Sequence, residues 1–157
     1  IQAVGDAEDA ISQAATYAKA LPKETGAKLW IKLPPTRESL ARCRTIRETG
    51  CASLVTAVFT PAQAYVAMEA GADGVAVYLG RLMRTEDDWR PQLERIIEIV
   101  RGSQKLLLLA SFQNRETIET GLAFSRNLTL PPELLGALLH SAQAAEAIRA
   151  FETRVTI

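Results

Sequence analysis

The feature that most constrains this chain is an alternation. A short apolar run bounded by proline or glycine is followed by a longer stretch in which apolar residues recur at helical spacing, and the pair repeats six times in 157 residues. Repeats of this kind, roughly 20 to 30 residues apart, are the mark of βα units feeding a parallel sheet. The apolar runs are Ile1 to Val4, Lys28 to Leu33, Ser53 to Phe59, Asp73 to Leu79, Lys105 to Ala110 and Leu128 to Leu130. An open six-stranded sheet satisfies this pattern. The polar residues that end successive strands favour instead an α/β architecture built as most of a (β/α)8 TIM barrel with two units missing. The reading is a single partial-barrel domain over residues 1–157, with a helical tail from about residue 132. Ile1 opens the chain inside an apolar run, which reads as a piece of something longer or as a processed chain.

The helices carry their own punctuation. Gly5-Asp6 gives a turn and an N-cap, and Ala10, Ile11, Ala14, Tyr17 and Ala18 share one face before Pro22. Thr36 caps a second helix that ends at Gly50, with Leu40, Cys43 and Ile46 inward and charged residues in water. Thr60-Pro61-Ala62-Gln63 is a capping box with proline at the first helical position, and that helix stops at Gly71. Thr85 and Asp88 suggest another capping box, ahead of the stripe Trp89, Leu93, Ile96, Ile97 and Val100. Asn114 caps a short helix to Gly121, and Pro131-Pro132 opens the tail.

Composition excludes several functions. Lysine plus arginine and aspartate plus glutamate are both 18, so no global field attracts nucleic acid or an anionic membrane. Runs such as Leu106 to Ala110 are far too short to span a bilayer, and no signal segment opens the chain. Cys43 and Cys51 have no metal or redox spacing and read as buried, reduced residues of a soluble cytoplasmic protein. No metal or organic cofactor is called for. His140, the only histidine, lies on the apolar tail and reads as a packing residue.

Chemistry concentrates at the strand ends. Strand side chains alternate between faces, so Leu29, Ile31 and Leu33 point one way while Trp30 and Lys32 point the other. Pro34-Pro35 stops the ladder, which leaves Lys32 at the carboxyl end of its strand, where α/β barrels do chemistry. Thr56, with Leu54 and Val58 expected on its face, Tyr78 and Ser111 end later strands on the same rim, and Arg81 lies just beyond Tyr78. A lysine enclosed by a barrel and near a cation should have a lowered pKa and act as a neutral amine nucleophile. Taken alone, such a lysine is more often structural, its stem packed and its charge at the rim. Tyr78 fits either an interfacial core tyrosine or a proton donor, and Arg81 with Ser111 suits an anionic oxygen.

Read together, these segments resemble a known family. Ile31-Lys32-Leu33-Pro34, Thr56-Ala57-Val58-Phe59 with Ala62-Gln63-Ala64, Ala70-Gly71-Ala72 leading to Tyr78-Leu79-Gly80-Arg81, Ala110-Ser111-Phe112 and Leu128-Thr129-Leu130-Pro131 resemble the transaldolase family, most of all its small fructose-6-phosphate aldolases. The resemblance implies that Lys32 is the Schiff-base lysine, that Thr56 helps hold a catalytic water, and that Tyr78 is the acid/base tyrosine of the aldolase branch, where transaldolases proper tend to have phenylalanine. It implies that Arg81 and Ser111 bind a substrate phosphate and that Gln2 is a water-positioning glutamine. The family's first strand with a catalytic aspartate, and its second with a Thr-Asn-Pro segment, have no counterpart, because the chain starts at what resembles the third. Leu82-Met83-Arg84 stands where an acidic residue is usual.

The expected function is that of a Schiff-base aldolase or transaldolase joining or cleaving a carbon–carbon bond between a dihydroxyacetone-type donor and an aldose phosphate, in a homo-oligomer. The alternatives are a non-catalytic barrel fragment that serves as a binding or assembly partner, and another phosphate-binding barrel enzyme such as a sugar-phosphate epimerase or isomerase.

Overall fold

The computed structural model describes residues 7–20, 28–139 and 141–154. Four parallel strands form one sheet in the sequential order β1-β2-β3-β4: β1 Trp30–Leu33, β2 Ala52–Val58, β3 Gly74–Val77 and β4 Leu106–Leu109. The expected count of six therefore stands at four among the described residues. The run Ile1 to Val4 lies outside them. Leu128 to Leu130 forms a single parallel bridge from Leu128 to Leu109 rather than a strand.

Register sorts the side chains. Trp30, Lys32, Leu54, Gly74, Ala76, Leu106 and Leu108 share one face through the pairings Lys32–Leu54, Leu54–Gly74 and Gly74–Leu106. The opposite face carries Ile31, Leu33, Val55, Val75, Val77, Leu107 and Leu109, all in the core cluster with Ile46, Leu93, Ile96, Val100 and Ile118 from the helices. Burying an aliphatic side chain of this kind is worth about 1.5–3 kcal/mol, so this face holds the fold together. Ala52, Leu54 and Ala76 are buried but lie apart from that cluster. In β4 the unbroken leucine run predicts cover on both faces. Leu107 and Leu109 are buried whereas Leu106 and Leu108 are half-buried, because the helices pack on one side.

Two strand expectations are corrected. Alternation predicts Val58 on the face of Leu54 and Thr56. Between Val55 and Val58 the register slips, since Val55 pairs Val75 while Val58 pairs Val77, and Ala57 takes a positive φ of 56°. This bulge opposes one extra residue to its partner strand and turns Val58 into the core. The third strand, expected to Leu79, stops at Val77.

The helices are α1 Ala7–Ala20, α2 Arg37–Ala41, α3 Cys43–Glu48, α4 Pro61–Glu69, α5 Leu79–Thr85, α6 Trp89–Gly102, α7 Arg115–Leu122, α8 Pro132–Leu139 and α9 Ala142–Arg154. Local chemistry explains most starts. Thr60 accepts from the Gln63 N–H at 3.2 Å while Gln63 Oε1 accepts from the Thr60 N–H at 3.2 Å, and Asn114 Oδ1 accepts from the Thr117 N–H at 2.9 Å. The helix expected from Thr36 to Gly50 is broken at Arg42. The Thr85–Asp88 capping box does not form, because Thr85 is the last residue of α5 and its hydroxyl donates to the Arg81 carbonyl at 3.2 Å. α6 starts at Trp89 without delay by Pro91, which sits in its first turn where no N–H is needed. The tail is two helices, and His140 between them lies outside the described residues.

A charge network ties the amino ends of the strands. Asp73 accepts from the Ser53 N–H at 3.0 Å and from Arg47 Nη2 at 2.9 Å, with Lys105 Nζ at 3.7 Å. Burial pushes the Asp73 carboxyl up, but the Ser53 N–H, the Arg47 hydrogen bond and the two cations outweigh it and hold it below the usual carboxylate range. Cys43 and Cys51 are free and buried, and burial raises the Cys43 thiol despite a hydrogen bond with Ser53.

Candidate active site at the carboxyl ends of the strands

Lys32 is the third residue of β1, half-buried on the face opposite Ile31 and Leu33, as alternation predicts. Pro34-Pro35 follows at once, and the chain turns into α2, where Thr36 accepts from the Ser39 N–H at 3.3 Å. Thr56 is 4% exposed, and its hydroxyl donates to the Tyr78 hydroxyl at 3.3 Å. That contact joins groups 22 residues apart.

Tyr78 is not a strand residue. Its N–H still donates to the Val58 carbonyl at 3.2 Å, but its own carbonyl accepts from Arg81 and Leu82, so it is the N-cap of α5. The ring is held by an edge contact with Phe59, centroids 5.9 Å apart, and by the Arg81 guanidinium, whose carbon lies 5.5 Å from its centroid. Phe59 is fixed in turn because its N–H donates to Gln63 Oε1 at 2.8 Å, so one glutamine serves both the capping box and the wall of the tyrosine.

Ser111 takes a positive φ of 68° just past β4. Gly80 makes room for it: a Cβ on Gly80 would lie 2.1 Å from the Ser111 carbonyl oxygen, and the Gly80 N–H donates to the Ala110 carbonyl at 3.2 Å. Gly121 similarly admits the Phe112 ring.

These elements enclose a cleft of about 410 Å³, lined by Lys32, Tyr78, Ser111, Phe112, Thr129 and Leu130 among others. Of the six residues singled out in the sequence, Lys32, Tyr78 and Ser111 line the cleft, and Thr56 reaches it through Tyr78. Arg81 is exposed beside the ring and is not part of the lining. Gln2 lies outside the described residues. Three contributors escape a reading of strand ends alone: Phe59, Gln63 and Thr129, whose N–H donates to the Leu109 carbonyl at 2.9 Å. The capping-box spelling marked Gln63, but nothing local tied it to Tyr78. Among the described residues no three histidine, cysteine or acidic side chains group as a metal site, and no helix is long and apolar enough to cross a membrane.

A parallel α/β sheet with a polar cleft beyond the carboxyl ends of its strands defines the class of protein. Comparison with known proteins carries this to a family. The family model described as "Transaldolase/Fructose-6-phosphate aldolase" matches residues 1–156, and the chain belongs to that family. Among solved structures it is similar to one titled "PaMucR Phosphodiesterase, c-di-GMP complex", at 12% identity and a TM-score of 0.50, with 68% of this chain and 50% of that chain covered. At that identity the likeness is one of fold, and the chain spans half the length of that structure.

Proposed function

We propose that the chain is an arc of a (β/α)8 barrel that carries the reactive rim of a Schiff-base aldolase or transaldolase. The observation that carries this reading is the convergence of Lys32, Tyr78 and Ser111 on one cleft, with the Thr56 hydroxyl hydrogen-bonded to that of Tyr78. Membership of the transaldolase and fructose-6-phosphate aldolase family supports carbon–carbon bond chemistry of this kind. The half-buried leucines of β4 suit an arc whose second face is a barrel interior, where closure by further strands would cover Leu106 and Leu108.

The chemistry follows from the groups present. The Lys32 amine adds to the ketone carbon of a dihydroxyacetone-type donor, and the carbinolamine loses its hydroxyl as water when Tyr78 supplies the proton, leaving an iminium. The Tyr78 phenolate takes a proton from the adjacent carbon to give the enamine, with the electron pair drawn toward nitrogen. The enamine carbon attacks an aldehyde, and the resulting alkoxide takes that proton back from Tyr78. Water then hydrolyses the iminium and returns the amine. Thr56, bonded to the Tyr78 hydroxyl, orients it toward a water. Ser111 offers its hydroxyl to a phosphate at the mouth of the cleft, and the exposed Arg81, beside the Tyr78 ring, adds charge. Gln2 stands as a further water-positioning residue.

The experiment is borohydride reduction in the presence of dihydroxyacetone or fructose 6-phosphate, followed by peptide mapping. The expected result is a mass adduct on Lys32 that disappears in Lys32→Met. An adduct on another lysine, or substantial turnover by Lys32→Met, refutes the mechanism and favours an isomerase or epimerase.

A further inference from the structure

A second cleft, of about 440 Å³, lies toward the amino end of β4 and shares no lining residue with the first. It runs between the end of α6 and the segment after α7, with β4 behind, and every lining residue is a described one. Three of its lining side chains are cationic, Arg101, Lys105 and Arg126, and none is acidic. In a chain whose charges balance at 18 each, the charged lining of this cleft is of one sign, while Arg101 also borders Glu94 and Glu98 in the adjoining groove.

Two of the three cations have an ordinary explanation, and only in part. Arg101 sits in the last turn of α6, where a positive charge complements the helix dipole. Lys105 lies 3.7 Å from Asp73. Arg126 has no such role, and neither arginine side chain pairs with an acidic group among the described residues. The backbone that presents them is held in place. Gln104 takes a positive φ of 55° immediately before Lys105. Arg126 stands between two tethered residues, since the Asn127 N–H donates to Ser125 Oγ at 3.1 Å and the Asn127 carbonyl accepts from the Leu109 N–H at 2.9 Å. Leu107 and Phe124 supply an apolar wall. Two forked guanidiniums and an ammonium around a cleft of this size match a doubly charged phosphoryl group on a small molecule.

We infer that this cleft is a second anion site, one that binds the phosphoryl group of a small phosphorylated metabolite through Arg101 and Arg126, with Lys105 adding charge. It is separate from the rim around Lys32 and does not depend on the reaction proposed there.

The test is titration of the 15N-labelled chain with inorganic pyrophosphate, following amide shifts residue by residue. Saturable shifts are expected at Lys105 and at Ser125, Arg126 and Asn127. They should persist in Arg81→Ala, and their midpoint should weaken at least tenfold in Arg101→Ala/Arg126→Ala. Both arginines are exposed, so that variant should keep the spectrum of a folded chain. Arg101→Lys/Arg126→Lys, which keeps the charge and removes the fork, should weaken binding by less. Shifts confined to Ser111 and its neighbours, or an unchanged midpoint in the double alanine variant, overturn the proposal.

Discussion

Replacing Gly80 by alanine tests whether α5 is pressed against the end of β4 as closely as the cleft requires. The new Cβ would stand 2.1 Å from the Ser111 carbonyl oxygen, 2.7 Å from its carbonyl carbon and 3.0 Å from the Phe112 Cα. Non-bonded heavy atoms rest at about 3.5 Å, so α5 or the Ser111 backbone must retreat by on the order of 1 Å. Overpacking of this kind costs about 1–3 kcal/mol, and the upper half applies because the obstacle is backbone whose preceding residue is held twice: the Ala110 N–H donates to the Val77 carbonyl and the Ala110 carbonyl accepts from the Gly80 N–H. Alanine's better helix propensity returns about 0.5–1 kcal/mol. The expected net loss is therefore about 1–2.5 kcal/mol, or a fall in Tm on the order of 2–10 °C for a chain of this length. Gly102→Ala is the control, because nothing lies within 4 Å of its Cβ, and it should leave stability unchanged or raise it by up to about 1 kcal/mol. Guanidinium unfolding followed by circular dichroism reads both. If Gly80→Ala is as stable as Gly102→Ala, the close approach of α5 to Ser111 is not there, and the placement of Ser111 in the cleft falls with it.

Other consequences are simpler to state. Tyr78→Phe keeps the ring contacts with Phe59 and Arg81 but takes the acceptor from the buried Thr56 hydroxyl, so stability should fall by about 1–3 kcal/mol while aldol turnover falls by roughly 10²–10⁴; equal turnover would remove Tyr78 from proton transfer. The carboxyl of Asp73 is depressed in the folded chain, so its stabilisation is complete above the ordinary carboxylate pKa of about 4 and is lost as pH falls through the lower native value. Asp73→Asn should lower the urea midpoint at pH 7 and flatten its decline below pH 4, and parallel pH curves for the two proteins would contradict this. Thr60→Ala removes one half of the capping box and should cost about 1 kcal/mol in chemical denaturation. Because Gln63 also holds the N–H of Phe59, Gln63→Ala should reduce turnover as well as stability, and a change in stability alone would sever the link to Tyr78.

How much was legible beforehand depends on the range of the physics. Lys32 could be assigned to its face and to the end of its strand because alternation and proline sterics act within a few residues. The caps at Thr60 and Asn114 are likewise bonds to N–H groups three residues on. The two free, buried cysteines followed from spacing and composition. The alternation of Val75 and Val77 with Ala76 and Tyr78 predicts a strand that runs through Tyr78. What ends that strand is the Tyr78 carbonyl turning to accept from Arg81 and Leu82, and no residue there spells a cap.

The sequence by itself determined the βα rhythm, the parallel α/β class, the faces of β1 and the family likeness, all of which are written in local periodicity and short motifs. Only the tertiary structure decided that Ala57 bulges and swings Val58 into the core, that the hydroxyls of Thr56 and Tyr78 meet, that Gly80 lets Ser111 enter the cleft, and that Arg101 and Arg126 share another. The reason is that each of these is set by the register of one strand on the next. Register is fixed by the burial of a whole face, a sum over residues far apart in the chain that no short stretch encodes.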